Sequence, residues 1–235
     1  MQLVDDGIGG TSQAELLALA VHEFRTPVTV VCGYLRMLAR EQLGPLNERQ
    51  RKLVEESERS CARLSALVGE LSELANFDAG AVKLASQDVP LRGLLDEVVG
   101  QVEDGRDLQV IVEVQGATEG EVVRGDRARL AAALAALVRG VVREQTEAGR
   151  VLVDVEVSQL DSGRTAAILI GRDAELPHLA ELADGSLNEF RGGMGLSVPI
   201  ARRVIARHGG RAWSSSGGRH MGAVAVRLPL KEIHS

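Results

Sequence analysis

Two long runs in the first third of the chain carry apolar residues at alternating three- and four-residue steps, the period of a helix with one buried stripe. In the first run Leu17, Ala20, Phe24, Pro27, Val31, Tyr34 and Leu38 recur, which predicts a single helix from about Ser12 to Gln42. Thr11 or Ser12 is placed to cap it, with Glu15 three residues beyond Ser12 as in a capping box. Gly44-Pro45 ends the run, and Asn47 is placed to cap a second helix whose seam is Leu53, Ser57, Ser60, Leu64, Leu67, Leu71 and Leu74. Two long helices joined by so short a loop form an antiparallel hairpin. Each hairpin leaves its apolar stripe half covered. Pairing two copies into a four-helix bundle is the simplest way to bury it, so a homodimer is expected.

After Phe77-Asp78-Ala79-Gly80 the pattern changes. Helical periodicity over 91–102 and 126–143 alternates with strand-like runs at 108–114, 151–157 and 165–170, the last two joined by an Asp161-Ser162-Gly163 turn. A glycine-rich loop at 191–195 opens a helix through His208, Gly209-Gly210 stops it, and strands at 212–215 and 223–228 close the chain. The expected organisation is a Gly- and Asp-rich lead-in over 1–11, an all-α hairpin over 12–78, and an α+β sandwich over 79–235 with antiparallel strands and helices on one side.

Composition narrows the partners. Hydrophobic residues are 45% and charged residues 26%, so a packed core is available, but aromatics are only 2%. Nucleic-acid recognition by base stacking therefore has almost no side chains to use, and a net charge of −6 opposes a nucleic-acid backbone or an anionic membrane as the main partner. No run approaches the roughly 18 uninterrupted apolar residues of a membrane span, and the N-terminus lacks a signal-peptide pattern. A cytoplasmic protein without membrane insertion is expected. Cys32 and Cys61 match no zinc or redox spacing and read as two separate small core residues in a reducing compartment. Trp213 reads as sheet packing, and His208 as a cation at a helix C-terminus.

One stretch combines chemistry with a helix defect: Val21-His22-Glu23-Phe24-Arg25-Thr26-Pro27. His22 lies two positions from both Ala20 and Phe24, about 200° around the helix, so it points away from the seam toward solvent. Thr26 is one turn on along the same face, and Glu23 is adjacent. Pro27 cannot donate to the Glu23 carbonyl, so a bend is expected just after the histidine. A neutral imidazole nitrogen is a good nucleophile at neutral pH, and a neighbouring carboxylate can hold its tautomer. No second histidine or cysteine is close enough in sequence to suggest a metal site, and phosphoryl transfer fits best.

The stretch from His22 to Tyr34 resembles the phosphoacceptor box of sensor histidine kinases. The segment GPLNERQRKLVEESERSCARLSALVGELSELANFDAG resembles the rest of that family's dimerisation and histidine-phosphotransfer domain, and the second half resembles its ATP-binding domain in length and element order. The resemblance implies that His22 is the phosphorylated residue and Glu23 its acid/base partner. Glu23 with Thr26 matches the Glu-x-x-Thr pattern that supports dephosphorylation of a response regulator.

The nucleotide side departs from the family. Counted from Gly125-Asp126-Arg127-Ala128-Arg129-Leu130, the two family asparagines fall at Ala136 and Gly140, and the second of these holds Mg²⁺ in the family. The adenine-binding aspartate falls at Arg172 or Asp173 without its glycines. Gly192-Gly193-Met194-Gly195 keeps part of the last glycine box, leaving Gly193 and Gly195 as vestigial nucleotide contacts.

Neither bound ATP nor a tightly held cofactor is expected, and Mg²⁺ is expected only on the partner regulator. The expectation is a phosphohistidine relay between His22 and a response-regulator aspartate. Its alternatives are an active kinase with a divergent nucleotide site and a non-catalytic scaffold that binds a regulator.

Overall fold

A computed structural model describes residues 13–102, 109–116, 118–161, 163–181, 187, 195–215 and 222–232. The lead-in over 1–11, the capping positions Thr11 and Ser12, and Gly192-Gly193-Met194 lie outside the described residues. The chain divides into two compact units, the first ending at Val82 and the second starting at Lys83.

The first unit is the expected hairpin. Helix α1 (Gln13–Ala39) is continuous through Pro27, and α2 (Glu48–Asp78) follows a short turn. Asn47 and Gln50 form a reciprocal capping box: Asn47 Oδ1 accepts from the Gln50 N–H at 2.9 Å, and Gln50 Oε1 accepts from the Asn47 N–H at 3.0 Å. In the turn Glu41 adopts a positive φ of 54°. Its carboxylate accepts from Arg51 and from the Leu46 N–H, which gives a residue in that backbone region its compensation.

The seam read from periodicity is covered only in part. Val21 and Cys32 of α1 and Cys61, Ala75 and Phe77 of α2 are buried, with Leu17, Ala20, Val28, Leu35, Leu38, Leu67, Val68, Leu71 and Leu74 half-buried around them. Phe24, Val31, Tyr34, Leu53 and Leu64, named above as seam residues, stay exposed, Phe24 at 58% and Tyr34 at 62%. α1 carries an apolar sector wider than one neighbour can cover. The hairpin uses one edge of that sector and leaves the rest as an outer apolar face.

A second correction concerns the cysteines. Cys32 and Cys61 are disulfide-bonded, with Cα atoms 5.7 Å apart. A hairpin sets residues equidistant from its turn opposite one another, and these two are equally far from the turn near residues 46–47.

The second unit is built on a mixed five-stranded sheet in the order β2-β4-β5-β7-β6, comprising β2 (Val110–Gly116), β4 (Gly149–Leu160), β5 (Gly163–Gly171), β6 (Arg211–Ser214) and β7 (Val224–Pro229). The β2–β4 pair is parallel and the other pairs are antiparallel, so the expected all-antiparallel sheet is corrected at one edge. A separate pair, β1 (Gln87–Pro90) with β3 (Val122–Gly125), went unread because four-residue strands leave no alternation to detect.

Cross-strand register puts Val153, Val155, Ile168, Ile170, Val224 and Val226 on one face. That face packs beneath α3 (Leu91–Gly100), α4 (Arg127–Glu144) and α6 (Ser197–Arg207), whose Leu94, Leu95, Leu134, Leu137 and Ile205 are fully buried. The opposite face is not bare, as helices on one side alone would leave it. Leu152, Leu169, Ala225 and Trp213 pack there against Leu176 and Leu179 of α5 (Leu176–Glu181). The Trp213 indole N–H donates to the Leu179 carbonyl at 3.2 Å, and the Arg227 guanidinium lies 5.3 Å from its ring centroid.

Candidate functional site

The α1 apolar edge that packs on α2 turns His22 outward. His22 and Glu23 have side chains 75% and 71% exposed, and Nδ1 of His22 lies 3.4 Å from Oε1 of Glu23. Thr26 is exposed one turn further on. Sequence periodicity therefore located all three side chains correctly. The contacts that hold this segment were not legible. Arg25 donates through Nη2 to Ser72 Oγ of α2 at 3.0 Å, and Thr29 Oγ1 donates back to the Arg25 carbonyl at 2.7 Å. Together they tie the turn on either side of Pro27 to the neighbouring helix and to itself. Arg25–Ser72 centres about two residues beyond the point that pairs the cysteines, so equidistance from the turn does not single it out.

With Nδ1 facing a carboxylate, the ring is favoured as the Nδ1–H tautomer, which leaves the Nε2 lone pair free and directed to solvent. That is the geometry of an accessible nucleophile with an oriented ring. The distance of 3.4 Å is long for a hydrogen bond and shortens when positive charge develops on the imidazole.

Of the positions that resemble the family's nucleotide site, two offer no side-chain ligand for a metal. Ala136 is buried in α4 and so is Gly140 one turn later, and neither brings an oxygen or nitrogen that could ligate Mg²⁺. After β5, Arg172 turns back onto the end of α4. Its Nε donates to Gln145 Oε1 at 2.5 Å and its Nη2 to the Glu147 carbonyl at 3.0 Å, so the position closes a loop with a cation. Asp173 is exposed. Gly195 holds a positive φ of 64° in the turn that opens α6, whereas Gly193 lies outside the described residues.

His208 also differs from the expectation. Its Nε2 accepts from the Asp126 N–H at 2.9 Å and its Nδ1 lies 2.7 Å from the Val204 carbonyl. A ring nitrogen that accepts from an amide carries no proton, so this buried ring is a neutral link between α6 and the start of α4, not a dipole-bound cation. Asp126 caps α4. Burial would raise its carboxyl, but donation from the Arg129 and Ala85 N–H groups holds it below the ordinary carboxylate range.

One helix, over Leu16–Ala39, has the length and mean hydropathy (1.2) of a membrane span. It bears His22, Glu23, Arg25 and Arg36 within that stretch.

A family model described as the His Kinase A (phospho-acceptor) domain matches residues 12–80. Among curated proteins, the chain is similar to the circadian input-output histidine kinase CikA of Synechococcus elongatus, at 27% identity over 211 residues, covering 85% of this chain and 28% of that protein. It is also similar to the signal transduction histidine-protein kinase BarA of Escherichia coli K12 (28% identity, 84% and 22%) and to the sensor protein DivL of Caulobacter vibrioides (28% identity, 80% and 24%). The chain thus spans about a quarter of the length of these relatives.

Among solved structures, full-length ShkA in complex with AMPPNP superposes with a TM-score of 0.67 at 25% identity, covering 95% of this chain and 47% of that one. The Acinetobacter baumannii histidine kinase AdeS superposes at 0.57 over 90% of this chain and 98% of that one; at 21% identity it speaks for the fold. With an exposed histidine on a hairpin that matches the His Kinase A (phospho-acceptor) domain over residues 12–80, followed by a mixed-sheet unit, the chain is similar over most of its length to sensor histidine kinases of two-component signalling.

Proposed function

We propose that this chain is a two-component phosphohistidine relay, in which His22 exchanges a phosphoryl group with an aspartate on a response regulator and takes none from ATP. The observation that carries the reading is Gly140. The position at which the family holds its magnesium is a buried glycine on α4, with Ala136 in place of the other asparagine.

In the forward step Nε2 of His22 forms a bond to phosphorus as the bond from phosphorus to the regulator's carboxylate oxygen breaks. The ring gains positive charge, and Glu23 accepts from Nδ1–H and stabilises it. The reverse step returns the phosphoryl group to the aspartate. A Mg²⁺ held by the regulator would supply charge screening of the phosphoryl oxygens. The Thr26 hydroxyl, exposed on the same face, orients a water for removal of phosphate from the regulator. The regulator docks on the face bearing His22, Arg25, Thr26 and Thr29, while the outer apolar face at Phe24, Val31 and Leu64 is left for a second copy of the hairpin. His22, Glu23, Arg25 and Arg36 within Leu16–Ala39 support a cytoplasmic hairpin over a membrane span.

Incubation with receiver domains phosphorylated at their aspartate is expected to move label onto wild-type protein and not onto His22→Ala. Absence of transfer from every receiver of the same cell overturns the relay. A second reading, a self-phosphorylating kinase, is favoured by the likeness over 95% of the chain to a kinase solved with AMPPNP. Labelled ATP with Mg²⁺ separates the two, because stoichiometric phosphate on His22 supports the kinase. The relay predicts none, and no saturable nucleotide binding.

A further inference from the structure

The Cys32–Cys61 disulfide is the one covalent link between α1 and α2 among the described residues, and nothing in the relay uses it. It sits in the middle of the hairpin seam, with the two residues only 5% and 4% exposed. Cys32 is ten residues beyond His22 on the same helix, about 15 Å along its axis, with Pro27 between them.

Three features around the sulfurs go beyond a structural staple. First, each sulfur already has a polar neighbour on the opposite helix: Cys32 Sγ lies 3.5 Å from Ser65 Oγ, and Cys61 Sγ lies 3.8 Å from the Val28 carbonyl. Once reduced, each thiol has a hydrogen-bond partner in place, so the dithiol state leaves no buried S–H unsatisfied.

Second, the sulfurs border a groove of about 290 Å³ lined by Arg36, Glu58, Arg59 and Ala62. Two guanidinium groups against one carboxylate favour the thiolate, the form that carries out exchange. Arg36 is fourteen residues from His22 and thus within about 40° of it around the helix. The groove borders the His22 side of α1 through Arg36.

Third, Cys61 also borders a second groove, lined by Val31, Leu35, Leu53 and Leu64 together with Glu56, Ser57 and Ser60. A change at the sulfurs is felt by both grooves of the hairpin.

We propose that Cys32 and Cys61 form a reversible thiol–disulfide switch, exchanged by a low-molecular-weight thiol, that sets how firmly α1 is held to α2 beneath His22. In reduction a reductant thiolate attacks one sulfur, forming a mixed disulfide and releasing the other cysteine as a thiolate. A second reductant thiolate displaces the first cysteine. Two electrons and two protons enter the protein, and the reductant leaves as its own disulfide. Oxidised, the C-terminal half of α1 is pinned to α2 by the cystine and the N-terminal half by Arg25–Ser72, one tie on each side of Pro27. Reduced, the helices are held by packing and hydrogen bonds without a covalent tie.

The consequence for signalling rests on the relay reading. The thiol chemistry and its effect on the helix do not, and the test measures those two. Full-length protein is equilibrated with glutathione at stepped ratios of reduced to oxidised form, quenched by alkylation and weighed, and amide exchange across α1 is followed in both end states. The expected result is passage from full disulfide to full dithiol within the glutathione series. Amides flanking His22 are expected to exchange at least tenfold faster in the reduced state. The Cys32→Ser/Cys61→Ser protein should match reduced wild type in either buffer. A cystine that survives every ratio, or exchange at His22 that ignores the state of the cysteines, overturns the switch. Neither outcome bears on whether His22 carries phosphate.

Discussion

Replacing Gly125 by alanine tests the link between α6 and α4 at its tightest point. An added Cβ at Gly125 runs into Cδ2 of His208, stands 2.7 Å from its Nε2 and 3.1 Å from Cδ1 of Leu130. The ring must then leave the Asp126 N–H that it accepts from, and no other acceptor replaces it. Overpacking costs about 1–3 kcal/mol, and a buried amide stripped of its partner about another 1–3 kcal/mol, so Gly125→Ala is expected to lose about 2–6 kcal/mol.

His208→Ala orphans the same amide and leaves a void, for about 2–4 kcal/mol. In that background the new methyl enters vacated space, and the alanine at 125 should cost less than about 1 kcal/mol. A double-mutant cycle therefore yields a coupling of roughly 2 kcal/mol, with the double variant close to His208→Ala alone. Urea unfolding followed by Trp213 fluorescence reads this directly, because the chain has a single tryptophan and it is buried in the second unit. Additivity within about 0.5 kcal/mol would refute the claim that the glycine exists to seat the imidazole.

Other perturbations probe the remaining contacts. Asp126 has its carboxyl held below the ordinary range in the fold, so its stabilising share is present above the unfolded carboxylate value of about 3.9 and fades as pH falls through the lower folded value. Asp126→Asn keeps one acceptor but turns an amide toward the Ala85 N–H. It should be less stable than wild type at pH 7, with the gap closing toward pH 3 in urea titrations. Removing the cystine with Cys32→Ser/Cys61→Ser opens a loop of sequence separation 29 and should cost the hairpin about 3–4 kcal/mol, seen as a lower melting transition in helical circular dichroism. Val31→Glu with Leu64→Glu places charges on the outer apolar face and should shift the protein from dimer to monomer in light scattering while preserving its helicity.

Periodicity alone located the hairpin, the Asn47 cap, the outward His22–Glu23–Thr26 face and most of the second unit's helices and strands, because each is a local property of a few consecutive residues. The same pattern could not say which edge of α1's apolar sector meets α2. That choice is made by the partner helix and the turn: Val21 and Cys32 are buried within the hairpin, while Phe24 and Tyr34 of the expected stripe stay on its outer face. Pairings distant in sequence were equally hidden. Cys32 meets Cys61 and Arg25 meets Ser72 only once the turn has set the register, and His208 finds Asp126 across 82 residues. The parallel β2–β4 edge is likewise a matter of chain path and not of residue type. The sequence by itself determined a histidine offered to solvent beside a carboxylate, and the absence of side-chain ligands at Ala136 and Gly140, since those follow from residue identity and helical phase. The tertiary structure decided that Arg172 folds back on Gln145, that His208 is a neutral strut, and that the helix bearing His22 is tied to its neighbour by sulfur, because each depends on atoms that only folding brings within reach.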